Sequence, residues 1–76
     1  MEKAAFLHKL DEVMNLPKGT IHGDESLGSL KGWDSVALMT FIALLDEELE
    51  IRVTGKQVMQ CHTVAELVAL AGNKVS

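Results

Sequence analysis

The sequence predicts an all-α fold, a small bundle of three to four helices with a long loop between the first and second. Three observations predict it. Apolar residues recur at helical spacing in three separate segments, no segment alternates as a strand does, and helix-starting and helix-stopping residues bracket the segments. The 76 residues suffice for one domain, residues 1–76. They leave no room for a large internal active site, because a chain this short buries only about 60% of the surface it exposes unfolded.

The first helix is expected from about Glu2 to Met14, where Phe6, Leu10 and Val13 share a face and Lys9, Asp11 and Glu12 lie off it. Asn15, Pro17 and Gly19 stop it, since proline lacks an amide hydrogen and glycine relaxes the backbone. From Asn15 to Trp33 the chain is rich in Gly, Ser, Thr and Asp. That is longer than an ordinary connection, and long loops tend to be functional. Leu16, Ile21, Leu27, Leu30 and Trp33 recur along it and are expected to pin it across the open end of the bundle.

The second helix is expected from Ser35 to Leu49, with the Asp34 carboxylate capping its first turn. Leu38, Phe41, Ile42, Leu45 and Leu49 fall on one face and should meet the core. Val36, Met39 and Ala43 form a second apolar stripe off that face. It marks either a surface docked by partners or a helix wedged between neighbours on two sides. Asp46, Glu47, Glu48 and Glu50 crowd the far end, which the helix dipole disfavours; recognition and a plain solvated helix end both fit that placement. Ile51, Val53, Gly55, Val58 and Met59 then form one helical turn or an ordered loop. The last helix opens with a capping box, Thr63 and Glu66. It carries Val64, Leu67, Val68 and Ala71 on one stripe and stops at Gly72.

Charge and composition exclude several classes. Eleven acids against seven bases give a net charge of −4. Between Asp24 and Glu50 stand seven acids and one base, Lys31. Such a field attracts basic partner surfaces and repels phosphate backbones, so no nucleic-acid partner is expected. No apolar run approaches the ~20 residues that span a bilayer, and no signal-peptide pattern opens the chain, so no membrane association and a cytoplasmic location are expected. The single cysteine, Cys61, excludes an internal disulfide and a thiolate zinc cluster. With only His62 beside it, it reads as a small, partly buried hydrophobe and not a metal site. His8 and His22 are expected in solvent. Nucleophile elbow, phosphate-binding glycine loop and Ser/His/Asp grouping are all lacking, which argues against an enzyme.

Ser35 stands out, in the run Leu30-Lys31-Gly32-Trp33-Asp34-Ser35-Val36. It sits at the end of a long loop and the start of a long helix, whose first-turn amides carry partial positive charge. A phosphate on its hydroxyl would be stabilised there, and the loop leaves it open to a modifying enzyme. Serine is also a common helix-starting residue, so its position alone does not decide the matter.

The Asp34-Ser35-Val36 start, the long loop before it, the apolar helix ending in Asp46-Glu47-Glu48-Leu49 and the closing Thr63-Val64 helix resemble an acyl carrier protein. The resemblance runs from Phe6 to Ala71. The Gly32-Trp33-Asp34-Ser35 form is most similar to stand-alone carriers of specialised pathways such as polyketide assembly, and to carriers of activated amino acids. The resemblance implies a non-catalytic carrier. Its phosphopantetheine arm would be esterified to Ser35 from coenzyme A by a phosphopantetheinyl transferase, and the arm's thiol would hold the cargo as a thioester. Asp34 would belong to the transferase recognition site. Val36 and Met39 would be docking contacts, with Ala43, Asp46 and Glu47 on the same recognition helix. The loop and the last helix would help shelter a bound chain between the helices.

Two departures from the family pattern bear on the pathway. Carriers of fatty-acid synthesis place acids at the positions matching Ala37 and Thr40, so their basic docking partners are a poor match here. Leu30 also lies one residue further from the serine than the family's usual leucine. The reading is therefore a discrete acyl carrier, of a specialised polyketide-like or a fatty-acid pathway. Its partners would be a transferase and an acyltransferase or ketosynthase. The alternatives are an aminoacyl or peptidyl carrier charged by an adenylating ligase, and an unmodified helical interaction module. A monomer is expected, because a shuttle presents one face to several partners in turn.

Overall fold

The chain forms four α-helices: α1 Lys3–Val13, α2 Ser35–Leu49, α3 Gly55–Met59 and α4 Val64–Ala71. This is a computed structural model, and it describes residues 1–76. Short 3-10 turns occupy Leu27–Ser29 and Gly72–Lys74, and there is no strand beyond one isolated bridge between Ser26 and Thr63. The predicted all-α bundle, with its long loop between α1 and α2, is the observed architecture.

One apolar cluster holds the helices together. Phe6, Leu10, Phe41, Leu45, Val58, Val64 and Leu67 are fully buried in it, drawn from all four helices. Phe41 is its hub, with Phe6 packing edge-on at 6.1 Å and Trp33 edge-on at 6.2 Å. Edge-to-face aromatic pairs add about 0.5–1.5 kcal/mol beyond their burial. Ile21 and Leu27 are buried in the same cluster, and Leu16, Leu30 and Trp33 pack against it half-buried. The loop is thus pinned by the residues expected to pin it.

Several details differ from the sequence reading. Leu7 and Met14 are buried on α1 and its C-terminal cap, while Val13 is only half-buried, because α1 is covered on a wider arc than one stripe. Asp11, read as lying off the core face, is 1% exposed. Its two carboxylate oxygens accept from the backbone amides of Gly19 at 2.8 Å and Ile21 at 3.0 Å. The loop folds back over α1 and needs an acceptor for those amides, and a charged acceptor makes the stronger bond. His8, expected in solvent, is half-buried on α1.

The segment left open between turn and loop is a helix, α3. It forms because Thr54 and Gln57 make a second capping box: Thr54 Oγ1 accepts from the Gln57 amide at 3.1 Å, and Gln57 Oε1 accepts from the Thr54 amide at 2.8 Å. The expected box at α4 is also present, with Thr63 Oγ1 accepting from the Glu66 amide at 3.2 Å and Glu66 Oε1 accepting from the Thr63 amide at 3.1 Å. After Gly72 the tail turns back, so that Val75 joins the core and the Ser76 carbonyl accepts from the Lys3 amide.

Candidate functional site

The N-terminus of α2 is held from three sides, and Ser35 is its first residue. Asp34, in extended backbone, turns its Oδ1 to accept from the Ala37 amide at 2.9 Å, as an N-cap does. Just before it, Trp33 is anchored on Phe41, fixing the entry of the chain to the core. Before that, Gly32 adopts a positive φ of 93° and runs so close to the end of α1 that a side chain there would collide with the Met14 backbone. Only glycine takes that conformation without strain and also fits the gap. The Gly32-Trp33-Asp34-Ser35 run therefore has a residue-by-residue structural reason: approach, anchor, cap, helix start.

Ser35 is exposed, and the local side-chain hydrogen bonds pass it by. The cap joins Asp34 to Ala37, and the Thr40 hydroxyl donates to the Val36 carbonyl at 2.9 Å. The Ala37 amide is taken by Asp34 Oδ1 and the Leu38 amide by the Asp34 carbonyl, leaving the Ser35 and Val36 amides at the exposed tip of the helix. The first turn carries no acid inside the helix. An exposed hydroxyl beside free amides and a positive helix end fits a phosphodiester linkage.

Val36 is 71% exposed and Met39 69% exposed, and Ala43 is exposed on the same side. The second apolar stripe is therefore a free surface in this chain and not a second packed face. Ala37, read from the family pattern as a surface position, is 2% exposed and belongs to the core. Small and pointing inward, it lets the start of α2 sit close to the bundle. Of the two positions where fatty-acid carriers place acids, only Thr40 lies on the surface.

At the far end of α2 the acids differ in their surroundings. Glu48 pairs with Lys9 at 3.5 Å and Asp46 with Arg52 at 3.8 Å, while Glu47 is exposed without an ion pair. Glu50 caps the helix in the left-handed conformation. These exposed pairs are worth no more than about 1 kcal/mol each. The acids thus remain a solvent-facing negative field.

Three clefts mark the surface, of about 530, 280 and 240 Å³, and α1, α2 or the loop after α1 lines each of them. The interior between the helices is filled by Phe41, Leu45, Val58 and Leu67, all at 0% exposure. Cys61 is half-buried near His62, as expected of a small hydrophobe, and no group of acids, histidines and cysteine could hold a metal ion. Burial, then the nearby Glu66 charge, pushes its thiol above the ordinary value. No helix is long and apolar enough to cross a membrane.

What the sequence reading missed at the site is the clasp that holds the loop to α4. The Leu27 amide donates to the His62 carbonyl and the Val64 amide to the Glu25 carbonyl. Glu25 in turn accepts from the His22 and Gly23 amides at 2.6 and 2.8 Å. A glutamate two or three residues after the amides it serves is a possible signal in the sequence, but an ordinary loop acid looks the same.

No curated protein matches the chain, and no solved structure does. A family model described as a phosphopantetheine attachment site matches residues 5–71, nearly the whole of the helical bundle. Members of that family carry a covalently attached phosphopantetheine group and interact with the transferase that installs it and with acyl-handling enzymes. The chain belongs to the phosphopantetheine-attachment family and is a phosphopantetheine carrier protein.

Proposed function

We propose that Ser35 is the attachment residue and that the chain is an acyl carrier serving a specialised, polyketide-like pathway. One observation carries the assignment of the serine. Of Ser26, Ser29, Ser35 and Ser76, only Ser35 is exposed at the start of an α-helix with free amides beside it. Its oxygen would form the new bond to the phosphorus of coenzyme A. The serine proton and adenosine 3′,5′-bisphosphate would leave. The arm's thiol supplies the thioester chemistry; the chain's own residues supply the address. Asp34 holds the serine at the helix tip, and Val36, Met39 and Ala43 offer the transferase and later partners an apolar contact.

Exposed Thr40, where a fatty-acid carrier has an acid, supports a specialised pathway over general fatty-acid synthesis. Asp46 and Glu47 supply a negative rim for partners with basic edges, acyltransferase or ketosynthase among them. The test is intact-protein mass spectrometry after incubation with coenzyme A and a broad-specificity phosphopantetheinyl transferase. The wild type gains one phosphopantetheinyl group and Ser35→Ala gains none. A folded wild type that stays unmodified with the transferase of its own source overturns the assignment. Loading of the modified protein by an adenylating ligase with an amino acid, and not by an acyltransferase, would assign it instead as an aminoacyl carrier.

A further inference from the structure

The largest cleft of the molecule, about 530 Å³, lies between the end of α1, the first turn of the loop and the start of α2. Asp34 and Val36, the residues on either side of Ser35, both line it, whereas neither smaller cleft is lined by a residue adjoining Ser35. Its apolar wall includes Val13, Leu16 and Val36, and its polar members are Asn15, Lys31 and Asp34.

We propose that this cleft is the resting seat of the protein's own phosphopantetheine arm. The proposal rests on Ser35 being the attachment residue and adds where the arm lies. The arm offers, in order from the serine, a phosphodiester anion, a pair of geminal methyl groups with a hydroxyl, and amides. Lys31 is exposed, and the chain's ion pairs are made by Lys9 and Arg52 instead, so its ammonium is available to the phosphodiester. Asp34 is the one acid in the lining, and one of its oxygens is engaged by the Ala37 amide. Leu16 is half-buried against the core, so the geminal methyls would find a surface already ordered by packing. Asn15 can donate to and accept from an amide. The cleft lined by Glu12, Glu47 and Glu48 has one base, Lys9, which Glu48 already pairs, so its excess of acids disfavours the phosphodiester.

The test uses the full chain, loaded enzymatically with an arm carrying carbon-13 in its geminal methyls. Mass spectrometry first reports whether one group is added at Ser35; no gain would overturn the attachment reading itself, and the seat with it. On the modified protein, isotope-filtered NOE spectra are expected to connect the labelled methyls to Leu16 and Val13, and the Lys31 amide is expected to shift between unmodified and modified protein. Lys31→Glu is expected to gain the same mass yet lose those NOEs. Full modification with NOEs to Val58 and Met59 of α3, or with sharp methyl signals and no NOE to the protein, would overturn the seat and leave the attachment intact.

Discussion

Gly32 lies against Met14 so closely that a Cβ on the glycine would overlap the Met14 carbonyl oxygen and stand 3.1 Å from its carbonyl carbon. This contact joins the end of α1 to the residues that open α2, and so fixes Ser35 relative to the bundle. Gly32→Ala is expected to destabilise the fold by about 1–3 kcal/mol, since the neighbouring atoms are backbone and φ is positive. It should also slow modification of Ser35. Gly19→Ala is the control: its φ is 90°, but a Cβ there meets nothing within 4 Å. That variant should show strain alone and normal modification. Thermal unfolding and the modification rate, measured for both, check the pair.

Asp11 is the buried charge on which the loop turns. Asp11→Ala would leave the Gly19 and Ile21 amides without their acceptor, and should cost about 3 kcal/mol, since bonds to a charged group are stronger and the partners are left unmet. Asp11→Asn keeps one acceptor oxygen and should fall between the two. Urea unfolding midpoints of the three proteins check the order. Equal stability of Asp11→Ala and the wild type would mean that water satisfies those amides.

Two helix starts were legible in the sequence because capping chemistry is local: Asp34 marks the start of α2 and the Thr63–Glu66 box that of α4. The Thr54–Gln57 box of α3 is just as local but opens a helix of only five residues, too short to show an apolar period. The core face of α2 was legible in part: Phe41, Leu45 and Leu49 are buried, but Leu38 and Ile42 are half-buried, and Ala37 is buried in place of a surface residue. Periodicity gives the direction of a face, not its width, which depends on what lies across from it. Asp11 was missed because its amide partners lie eight and ten residues away, in a loop without regular spacing. The position of Ser35, exposed where a loop ends and α2 starts, was legible because it is written in neighbouring residues. The cleft beside it was not, because it is made by residues brought together from the end of α1 and the start of α2.

Acid should loosen the clasp between the loop and α4. Burial pushes the Glu25 carboxyl up, but the amides of His22 and Gly23 outweigh it and hold the group below its ordinary value. The His62 amide, with the Thr63 hydroxyl and amide, holds Glu66 below its ordinary value too. A carboxyl whose folded pKa is depressed stabilises the fold fully above its unfolded pKa, and that contribution is lost as pH falls through the folded pKa. Below about pH 4, where an ordinary glutamate protonates, protection of the Val64, Leu27 and Gly23 amides against hydrogen exchange should drop, after correction for the intrinsic exchange rate. Glu25→Gln should remove most of the pH dependence at Gly23 and leave that at Thr63. An unchanged protection profile in Glu25→Gln would assign the acid response to other groups.

The exposed stripe of α2 predicts a separation of docking from folding. Met39 is 69% exposed, so Met39→Glu removes no core contact and should change stability by no more than about 0.5 kcal/mol. Phe41, two residues on, is fully buried and packed edge-on with Phe6 and Trp33, so Phe41→Ala should cost about 3–5 kcal/mol. If partners read the apolar stripe, Met39→Glu should be folded yet poorly modified by the transferase, with the loss in KM because the encounter surface is changed and Ser35 is not. Phe41→Ala should lose modification only in proportion to the unfolded fraction. Normal modification of a folded Met39→Glu would move the transferase contact off this stripe, toward Asp34 and the loop that precedes it.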